Sequence, residues 1–319
     1  MGVIGVDGGN AKTELVLASL DGEPLAYVRG PGSNSHGLGA EGCVAVIAKL
    51  VERAQLAAPD DHGAFFLCGA DVPADIEELA AAVNARGWVR QASVDNDTFA
   101  LLRAGTDAPD AVAVVCGAGI NCVGRAADGR TARYPSLGWE TGDWGGSEML
   151  GREALFLAAR AEDGRAESTA LLPAILGYFG AESVAALGES VHYGRLRQQR
   201  LGELAPVIVA VAEAGDAAAR GLIQRLADEI VLLARKALRD LELVDAEVVL
   251  GGGMLREGKG LLYDEVVSRL GEHEHPVVAT DPPVLGAGLA ALDAAGAPPE
   301  AGERLRAAFR DGLTPEDVR

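Results

Sequence analysis

Three short glycine-rich loops, each placed directly after an apolar strand pattern, constrain this sequence more than any other feature. They follow residues 2–7, 111–115 and 247–250. The loop residues are Gly8, Gly9 and Asn10; Gly117, Ala118 and Gly119; and Gly251, Gly252 and Gly253. Small residues let an anion approach the main chain, and a turn of backbone amides binds anions without a helix terminus. The three loops together predict a nucleotide-binding protein.

Two familiar phosphate motifs do not account for these loops. Lys12-Thr13 ends like a Walker loop, but Ala11 and Val6 stand where that motif needs glycine, and a strand pattern follows instead of a helix. The stretch 37–42 fits G-x-G-x-x-G letter by letter, but no strand pattern precedes it, so we interpret it as a loop entering a helix. For the first loop alone, a plain hairpin turn remains the alternative.

Alternating strand and helix patterns predict an α/β protein with two lobes. A three-strand meander opens the chain, and a second strand-loop-strand pattern begins at residue 111. At 319 residues the chain is long for one core, which favours two lobes with a cleft between them that would hold the nucleotide. The predicted division is an N-terminal lobe over 1–115, a C-terminal lobe with a helical insertion over 116–295, and a terminal extension over 296–319.

Composition limits the partners that the chain can bind. A net charge of −19 opposes nucleic acid and anionic membrane surfaces, because both would be repelled at long range. No apolar run reaches the ~18 residues of a membrane span, so we expect a cytoplasmic protein without a membrane partner. The cysteines lack CxxC and CxxxC spacing, which argues against zinc or an iron–sulfur cluster. They are Cys43, Cys68, Cys116 and Cys122.

The order of the motifs resembles the actin/hexokinase-type ATPase superfamily and, within it, the N-acetylglucosamine kinase and BadF/BadG/BcrA/BcrD ATPase family. The matching motifs are Asp7-Gly8-Gly9 with Lys12-Thr13, Asp95-Asn96-Asp97, Gly117-x-Gly119-x-Asn121, Gly142-Asp143 and Gly251-Gly252-Gly253. The resemblance covers nearly the whole chain. It implies a two-lobed actin-like (ribonuclease H-like) α/β fold with a helix-rich second lobe, ATP and Mg²⁺ as cofactors, a small amino sugar as substrate, and a homodimer.

The resemblance also implies roles for single side chains. Asp97 would be the general base that takes the proton of the sugar hydroxyl, with Asp95 as a competitor and helix capping as the alternative. Asp7 would hold Mg²⁺. Asn34 would bind sugar hydroxyls or be a plain turn residue, and Asp143 would contact the sugar or assist the metal and phosphate.

Further contacts complete the predicted site. Lys12 and Thr13 would reach the phosphates together with the backbone of the first loop. Asn121, at the end of the second loop, would contact the substrate. Trp139 or Trp144 would stack on the sugar ring or else pack between the lobes.

Three positions depart from the family pattern, and they bear on the activity. Asn10-Ala11 replaces Gly-Thr and Ala118 replaces Thr, so two hydroxyl donors are absent. Because one neutral hydrogen bond is worth about 0.5–1.5 kcal/mol, their loss should slow turnover without abolishing it. We expect ATP-dependent phosphorylation of an amino-sugar hydroxyl, foremost O6 of N-acetylglucosamine. The alternatives are a cluster-carrying ATPase activator and a sugar or nucleotide sensor with weak or no kinase activity.

Overall fold

The computed structural model describes residues 2–56 and 60–315, and the first of its two five-stranded sheets comes from the N-terminal third of the chain. Its strands and helices are β1 Gly2–Gly8, β2 Lys12–Ser19, β3 Pro24–Pro31, α1 Ser35–Arg53, β4 Asp60–Leu67, α2 Pro73–Asn84, β5 Val89–Asp95 and α3 Thr98–Gly105. The strand order is β3-β2-β1-β4-β5. Since β1, β4 and β5 run parallel, their carboxyl ends meet at one edge of the sheet.

The rest of the chain forms the second sheet and most of the helices. These elements are β6 Ala111–Cys116, β7 Ile120–Arg125, β8 Thr131–Arg133, α4 Gly146–Glu162, α5 Leu171–Phe179, α6 Val184–His192, α7 Ala205–Glu213, α8 Ala217–Asp240, β9 Ala246–Gly251, α9 Leu261–Arg269, β10 Glu274–Val278, α10 Pro283–Ala294 and α11 Pro299–Arg310. The strand order is β10-β9-β6-β7-β8. Short 3-10 helices cover Gly138–Thr141 and Gln198–Leu204.

Different helices cover the two faces of the first sheet. On one face, Ile4, Leu15 and Phe65 are fully buried in a core shared with α1 and α2. On the other face, strand residues pack with α3, α10 and α11. A Cβ on Gly5 would lie 2.3 Å from the backbone nitrogen of Gly288 in α10, so this close approach of helix to strand requires glycine.

The chain forms two compact units whose boundaries differ from the predicted ones. One unit contains Met1–Ala113, Val123–Pro135 and Ala279–Arg319, and the other contains Val114–Cys122 and Ser136–Val278. The end of the first segment lies close to the predicted boundary at residue 115. The prediction was wrong for the C-terminal region, because α10 and α11 bury their apolar side chains against the first sheet.

Most predicted elements are confirmed. The α/β class is correct, and the second unit carries the helix-rich region, including the apolar stripe of α8. The G-x-G-x-x-G stretch lies in the first turns of α1, where Gly39 has a φ of +69° and kinks the helix, as expected for a loop entering a helix. Within the described ranges, no single helix is long and apolar enough to cross a membrane, although α5 and α6 meet that test together as a bent pair.

Candidate functional site

The first unit gathers three carboxylates at the carboxyl edge of its sheet. Asp7 is the second-last residue of β1, Asp71 follows β4, and Asp97 follows β5. Charge repulsion from Asp71 acts on Asp97, charge repulsion from Asp97 acts on Asp7, and all three act on the thiol of Cys68. The sequence analysis missed Asp71. No motif marks it, and it joins the other carboxylates because β4 lies between β1 and β5 in the sheet.

Asp97 has the properties of a general base that works near neutral pH. Burial raises its pKa to about 7, and the neighbouring carboxylate of Asp71 adds to the shift. Although Asp97 precedes α3, its side chain makes no capping hydrogen bond. Instead the amide of Thr98 donates to Oδ1 of Asn96 at 2.9 Å. This geometry disfavours helix capping as the role of Asp97.

Asp95, the competitor for the role of base, is held in an ion pair. The guanidinium of Arg133 donates to both of its carboxylate oxygens, at 2.8 and 3.0 Å. The backbone amide of Asn96 donates a third hydrogen bond to Asp95 at 2.8 Å. A carboxylate with three donors is poorly suited to accept a proton, so the geometry favours Asp97 over Asp95.

Asp7 is a buried carboxylate that accepts no hydrogen bond from the described residues. Only 6% of the residue is exposed, and its pKa is raised well above the usual range by burial and by repulsion from Asp97 and Glu14. No side chain or amide in 2–56 or 60–315 donates to it. An acceptor-only carboxylate of this kind suits a hard cation such as Mg²⁺, so the donor chemistry fits the predicted metal ligand.

The first glycine loop is a hairpin turn with unused amides. Gly9 donates to the carbonyl of Lys12 at 2.9 Å and closes the turn. In the part of the chain that the structure describes, the amides of Asn10 and Ala11 donate to no protein acceptor. The side chain of Lys12, which is half-buried, donates to the carboxylate of Glu14. The loop therefore offers both backbone donors and a nearby ammonium group to an anion.

Thr13 does not take the role predicted for its side chain. The residue is fully buried, and its hydroxyl donates to Oγ of Ser33 at 2.8 Å. It ties β2 to the segment before α1 instead of facing a phosphate. With Ala11 exposed and lacking a hydroxyl, the hydrogen-bond donors that the first loop offers are Lys12 and backbone amides.

Asn34 is both the cap of α1 and a neighbour of the first loop. Its Oδ1 accepts from the amide of His36 at 2.9 Å, and its Nδ2 donates to Oδ1 of Asn10 at 3.1 Å. The imidazole of His36 lies 3.5 Å from Oδ2 of Asp71. The predicted sugar contact Asn34 is thus hydrogen-bonded to the first glycine loop. His36, which lies beside Asp71, is a further polar group that the sequence analysis missed.

In the second unit, the other two glycine loops lie side by side. The carbonyl of Cys116 accepts from the amide of Met254 at 3.1 Å, which joins the loop after β6 to the loop after β9. Gly252 has a φ of +86°, and a Cβ there would lie 2.4 Å from the carbonyl oxygen of Cys116. The carbonyl of Gly117 accepts from the amide of Ser147 at 2.8 Å, so the second loop is also attached to the start of α4.

These two loops form part of a cavity of about 680 Å³ inside the second unit. The cavity has apolar walls from α7 and α9, and polar groups at its edge. Its lining includes Gly117, Ala118, Val209, Gly253, Met254 and Leu262. A Cβ on Gly117 or Gly253 would meet no protein atom within 4 Å, so both glycines leave space that a ligand can occupy. The size and the mixture of apolar walls and backbone amides suit a nucleotide.

The structure separates the roles of the two tryptophans. Trp139 lies on the 3-10 helix Gly138–Thr141 and is 73% exposed, so its ring is available for stacking. Trp144 is buried, and the guanidinium of Arg225 lies 4.0 Å from its ring centroid. Trp144 is therefore a packing residue within the second unit.

The remaining predicted sugar contacts, Asn121 and Asp143, lie in the second unit as well. The side-chain oxygen of Asn121 accepts from the amide of Cys122 at 2.7 Å and from the hydroxyl of Ser136 at 2.6 Å, which fixes the orientation of its amide group. Asp143 accepts from the hydroxyl of Thr141. Their predicted contacts with a sugar remain predictions.

Comparisons with known proteins identify two curated relatives that match most of the chain. An N-acetylmuramic acid/N-acetylglucosamine kinase from Clostridium acetobutylicum is 27% identical over 271 residues, which cover 82% of this chain and 88% of that protein. An N-acetyl-D-glucosamine kinase from Dictyostelium discoideum is 26% identical, over 91% of this chain and 97% of that protein.

Solved structures share the fold. A candidate N-acetylglucosamine kinase from Chromobacterium violaceum superposes with a TM-score of 0.69 at 23% identity, over 90% of this chain and 98% of that chain. A ROK family glucokinase from Streptomyces griseus, solved with glucose and AMPPNP, gives a TM-score of 0.57 at 18% identity, over 92% and 100%. The predicted actin-like sugar-kinase fold is confirmed.

The family profile described as the BadF/BadG/BcrA/BcrD ATPase family matches residues 4–291. This range includes all three glycine loops, the carboxylate cluster and the segment Gly138–Ser147. The chain therefore belongs to the BadF/BadG/BcrA/BcrD ATPase family.

Proposed function

We propose that this protein transfers the γ-phosphoryl group of ATP to a hydroxyl of an amino sugar, with O6 of N-acetylglucosamine as the first candidate. The observation that carries the proposal is Asp97, a partly buried carboxylate at the carboxyl edge of the first sheet whose pKa is raised to about 7. A base is most effective when its pKa lies near the working pH. The two curated relatives, which are amino-sugar kinases, support the choice of acceptor.

The first unit contains the groups that we assign to the transfer step. The ionised Asp97 accepts the proton of the sugar hydroxyl as that oxygen attacks phosphorus and the bond from the γ-phosphorus to ADP breaks, and Asn34 orients the sugar. The amides of the first loop and Lys12 bind the terminal phosphate. The cavity of about 680 Å³ in the second unit has the size for a nucleoside.

Asp7 would be the residue that holds Mg²⁺. When bound, this ion would neutralise charge that develops on the phosphate oxygens. The protein contributes the buried carboxylate of Asp7, to which no described group donates a hydrogen bond. A bound cation would stabilise the negative charge of this carboxylate.

The buried cysteines support a kinase over the cluster-carrying activator. Cys43, Cys116 and Cys122 are buried, and burial raises the pKa of the Cys116 thiol to about 12. Metal clusters bind thiolates, so groups that resist deprotonation are poor ligands for them. The homodimer and the cytoplasmic location remain predictions from the sequence.

ADP formation measured against a panel of sugars tests the proposal. The purified protein is mixed with ATP, Mg²⁺ and, in turn, N-acetylglucosamine, N-acetylmannosamine, glucosamine and glucose. A rise in ADP with N-acetylglucosamine, together with a 6-phosphate identified by NMR, is the expected result. If no amino sugar raises ADP above the sugar-free rate, the kinase proposal fails. Calorimetric sugar binding without turnover would then favour a sensor whose loops carry Ala11 and Ala118 in place of hydroxyl residues.

A further inference from the structure

Glu14 is a fully buried carboxylate in the middle of β2, and its two oxygens have different partners. Oε1 accepts from the hydroxyl of Tyr27 at 2.5 Å and from Nε and Nη2 of Arg29 at 2.8 and 2.6 Å. Oε2 accepts from Nζ of Lys12. Burial disfavours its charge, but the hydrogen bonds from Lys12 and from the two β3 residues outweigh that effect and lower its pKa. Glu14 is therefore an ionised carboxylate that binds the ammonium group of Lys12 next to the first glycine loop.

The position of Lys12 connects this anchor to the loop. Lys12 is the first residue of β2 and immediately follows the two unused amides of the hairpin turn. Its side chain is 44% exposed, whereas that of Glu14 is 0% exposed. Glu14 also pairs directly with Asp7 across the β1–β2 ladder, so both carboxylates lie on the same face of the sheet. The ammonium group is thus kept beside the loop and the proposed metal ligand.

We propose that Glu14 is a positioning residue: it holds the ammonium group of Lys12 beside the first glycine loop, where that group contacts the terminal phosphate of the nucleotide. This inference rests on the proposed function. A lysine side chain has large rotamer freedom, and a fixed partner lowers the entropy that is lost when the ammonium group is ordered on a ligand.

The division of partners lets one ammonium group serve Glu14 and a phosphate at the same time. A lysine ammonium group has three hydrogen-bond donors, so Lys12 can donate to Oε2 of Glu14 and direct another donor to the phosphate. A buried ion pair becomes costly when one charge loses its partner. Arg29 and Tyr27 stay bound to Oε1, so the charge of Glu14 remains compensated while Lys12 is shared with the phosphate.

A double-mutant cycle on nucleotide binding tests this inference. The dissociation constant of Mg²⁺·AMPPNP is measured for the full-length protein and for Glu14→Gln, Lys12→Met and the double variant, with Lys49→Met as a control for loss of an exposed lysine in the first unit. Both single variants should weaken binding about tenfold, the range of one charge-assisted contact, and the double variant should be no weaker than Lys12→Met. Lys49→Met should bind like the wild type.

Two results would overturn the inference: unchanged affinity in Lys12→Met, or an equal further loss when Glu14→Gln is added to Lys12→Met. If Glu14→Gln does not fold, Glu14→Asp keeps the buried negative charge but shortens the side chain by one methylene, so it should weaken the contact with Lys12 and reproduce the coupling. Thermal unfolding of each variant identifies a general loss of structure. Because AMPPNP binding needs no sugar, a protein that shows the coupling but phosphorylates no sugar would refute the proposed function and leave this inference standing.

Discussion

At the scale of single residues, the first unit combines the proposed general base, Asp97, with the neighbouring carboxylate of Asp71, which helps to raise its pKa. Replacing Asp97 by asparagine should lower kcat about 10²–10⁴-fold, because the proton acceptor is lost. It should leave the melting temperature unchanged or raised. The raised pKa means that the folded state binds the Asp97 proton more tightly than the unfolded chain, so folding stability falls as the pH rises from about 4 to about 7. ADP formation and thermal unfolding at pH 8 measure both effects.

Asp95→Asn is the matched control for this substitution. It removes the charge that Arg133 pairs with, so we expect a lower melting temperature and a smaller loss of kcat than in Asp97→Asn. Full activity in Asp97→Asn, or a greater loss of activity in Asp95→Asn, would reverse the assignment of the base.

The pH dependence of kcat/KM provides a second residue-scale prediction. Since Asp97 must be ionised to accept a proton, activity should rise with pH, reach half of its plateau near pH 7, and level off above about pH 8. Asp71→Asn removes a repulsive neighbour, so it should shift the half-maximal pH to a lower value. Asp21→Asn is the control, because Asp21 lies in the exposed turn after β2 and its loss removes one carboxylate of the first unit outside this cluster. If Asp71→Asn leaves the half-maximal pH of kcat/KM unchanged, Asp71 does not help to raise the pKa of Asp97.

The sequence predicted the residues that short motifs mark, and missed those defined by packing. Asp7 and Asp97 stand at strand ends within recognisable motifs. Asp71 and Glu14 do not, because their importance depends on which strands become neighbours and in which register. Thr13 shows the opposite error, since the motif predicts a phosphate contact whereas the side chain faces the interior.

At the scale of elements, the strands and helices were predictable where an apolar period is continuous. β1, β6 and β9 are short apolar runs bounded by glycine, and α8 carries a long amphipathic stripe. The sequence identifies residues 296–319 only as a terminal extension, because the α11 sequence is largely polar and its apolar positions have a packing partner only when the first sheet is present. Local pattern therefore predicts an element well when that element's own sequence encodes its buried face.

Two adjacent glycines in the third loop allow an element-scale prediction. Gly252→Ala should lower the melting temperature, because residue 252 has a positive φ and its new Cβ would collide with the carbonyl of Cys116. Gly253→Ala should fold normally and weaken AMPPNP binding, because its Cβ would point into the open cavity. Thermal unfolding and calorimetric titration of both variants separate these effects. Equal melting temperatures, or unaltered nucleotide affinity in Gly253→Ala, would contradict the description of this loop.

At the scale of the whole molecule, the order of elements along the chain does not predict which elements belong to which of the two units. The predicted boundary near residue 115 follows from the second start of the strand pattern. The return of residues 279–319 to the first unit does not, because it depends on contacts between residues far apart in sequence. Arg306 illustrates this, since its guanidinium donates to the carbonyl of Ala104 at 2.8 Å and pairs with Asp281 at 3.0 Å.

This return predicts that the C-terminal helix is a structural part of the first unit. Leu305 is fully buried beside Tyr27 and Leu289, so Leu305→Ala should reduce the free energy of unfolding by about 2–5 kcal/mol. Chemical denaturation of Leu305→Ala measures the change, and Leu232→Ala, at an exposed position of α8, is the control with an expected change of less than about 0.5 kcal/mol. Removal of residues 296–319 should destabilise the protein at least as much as Leu305→Ala, because it also exposes the face of the first sheet and α10 that α11 covers. If the truncated protein has wild-type stability, residues 296–319 are a terminal extension that the first unit does not need for folding.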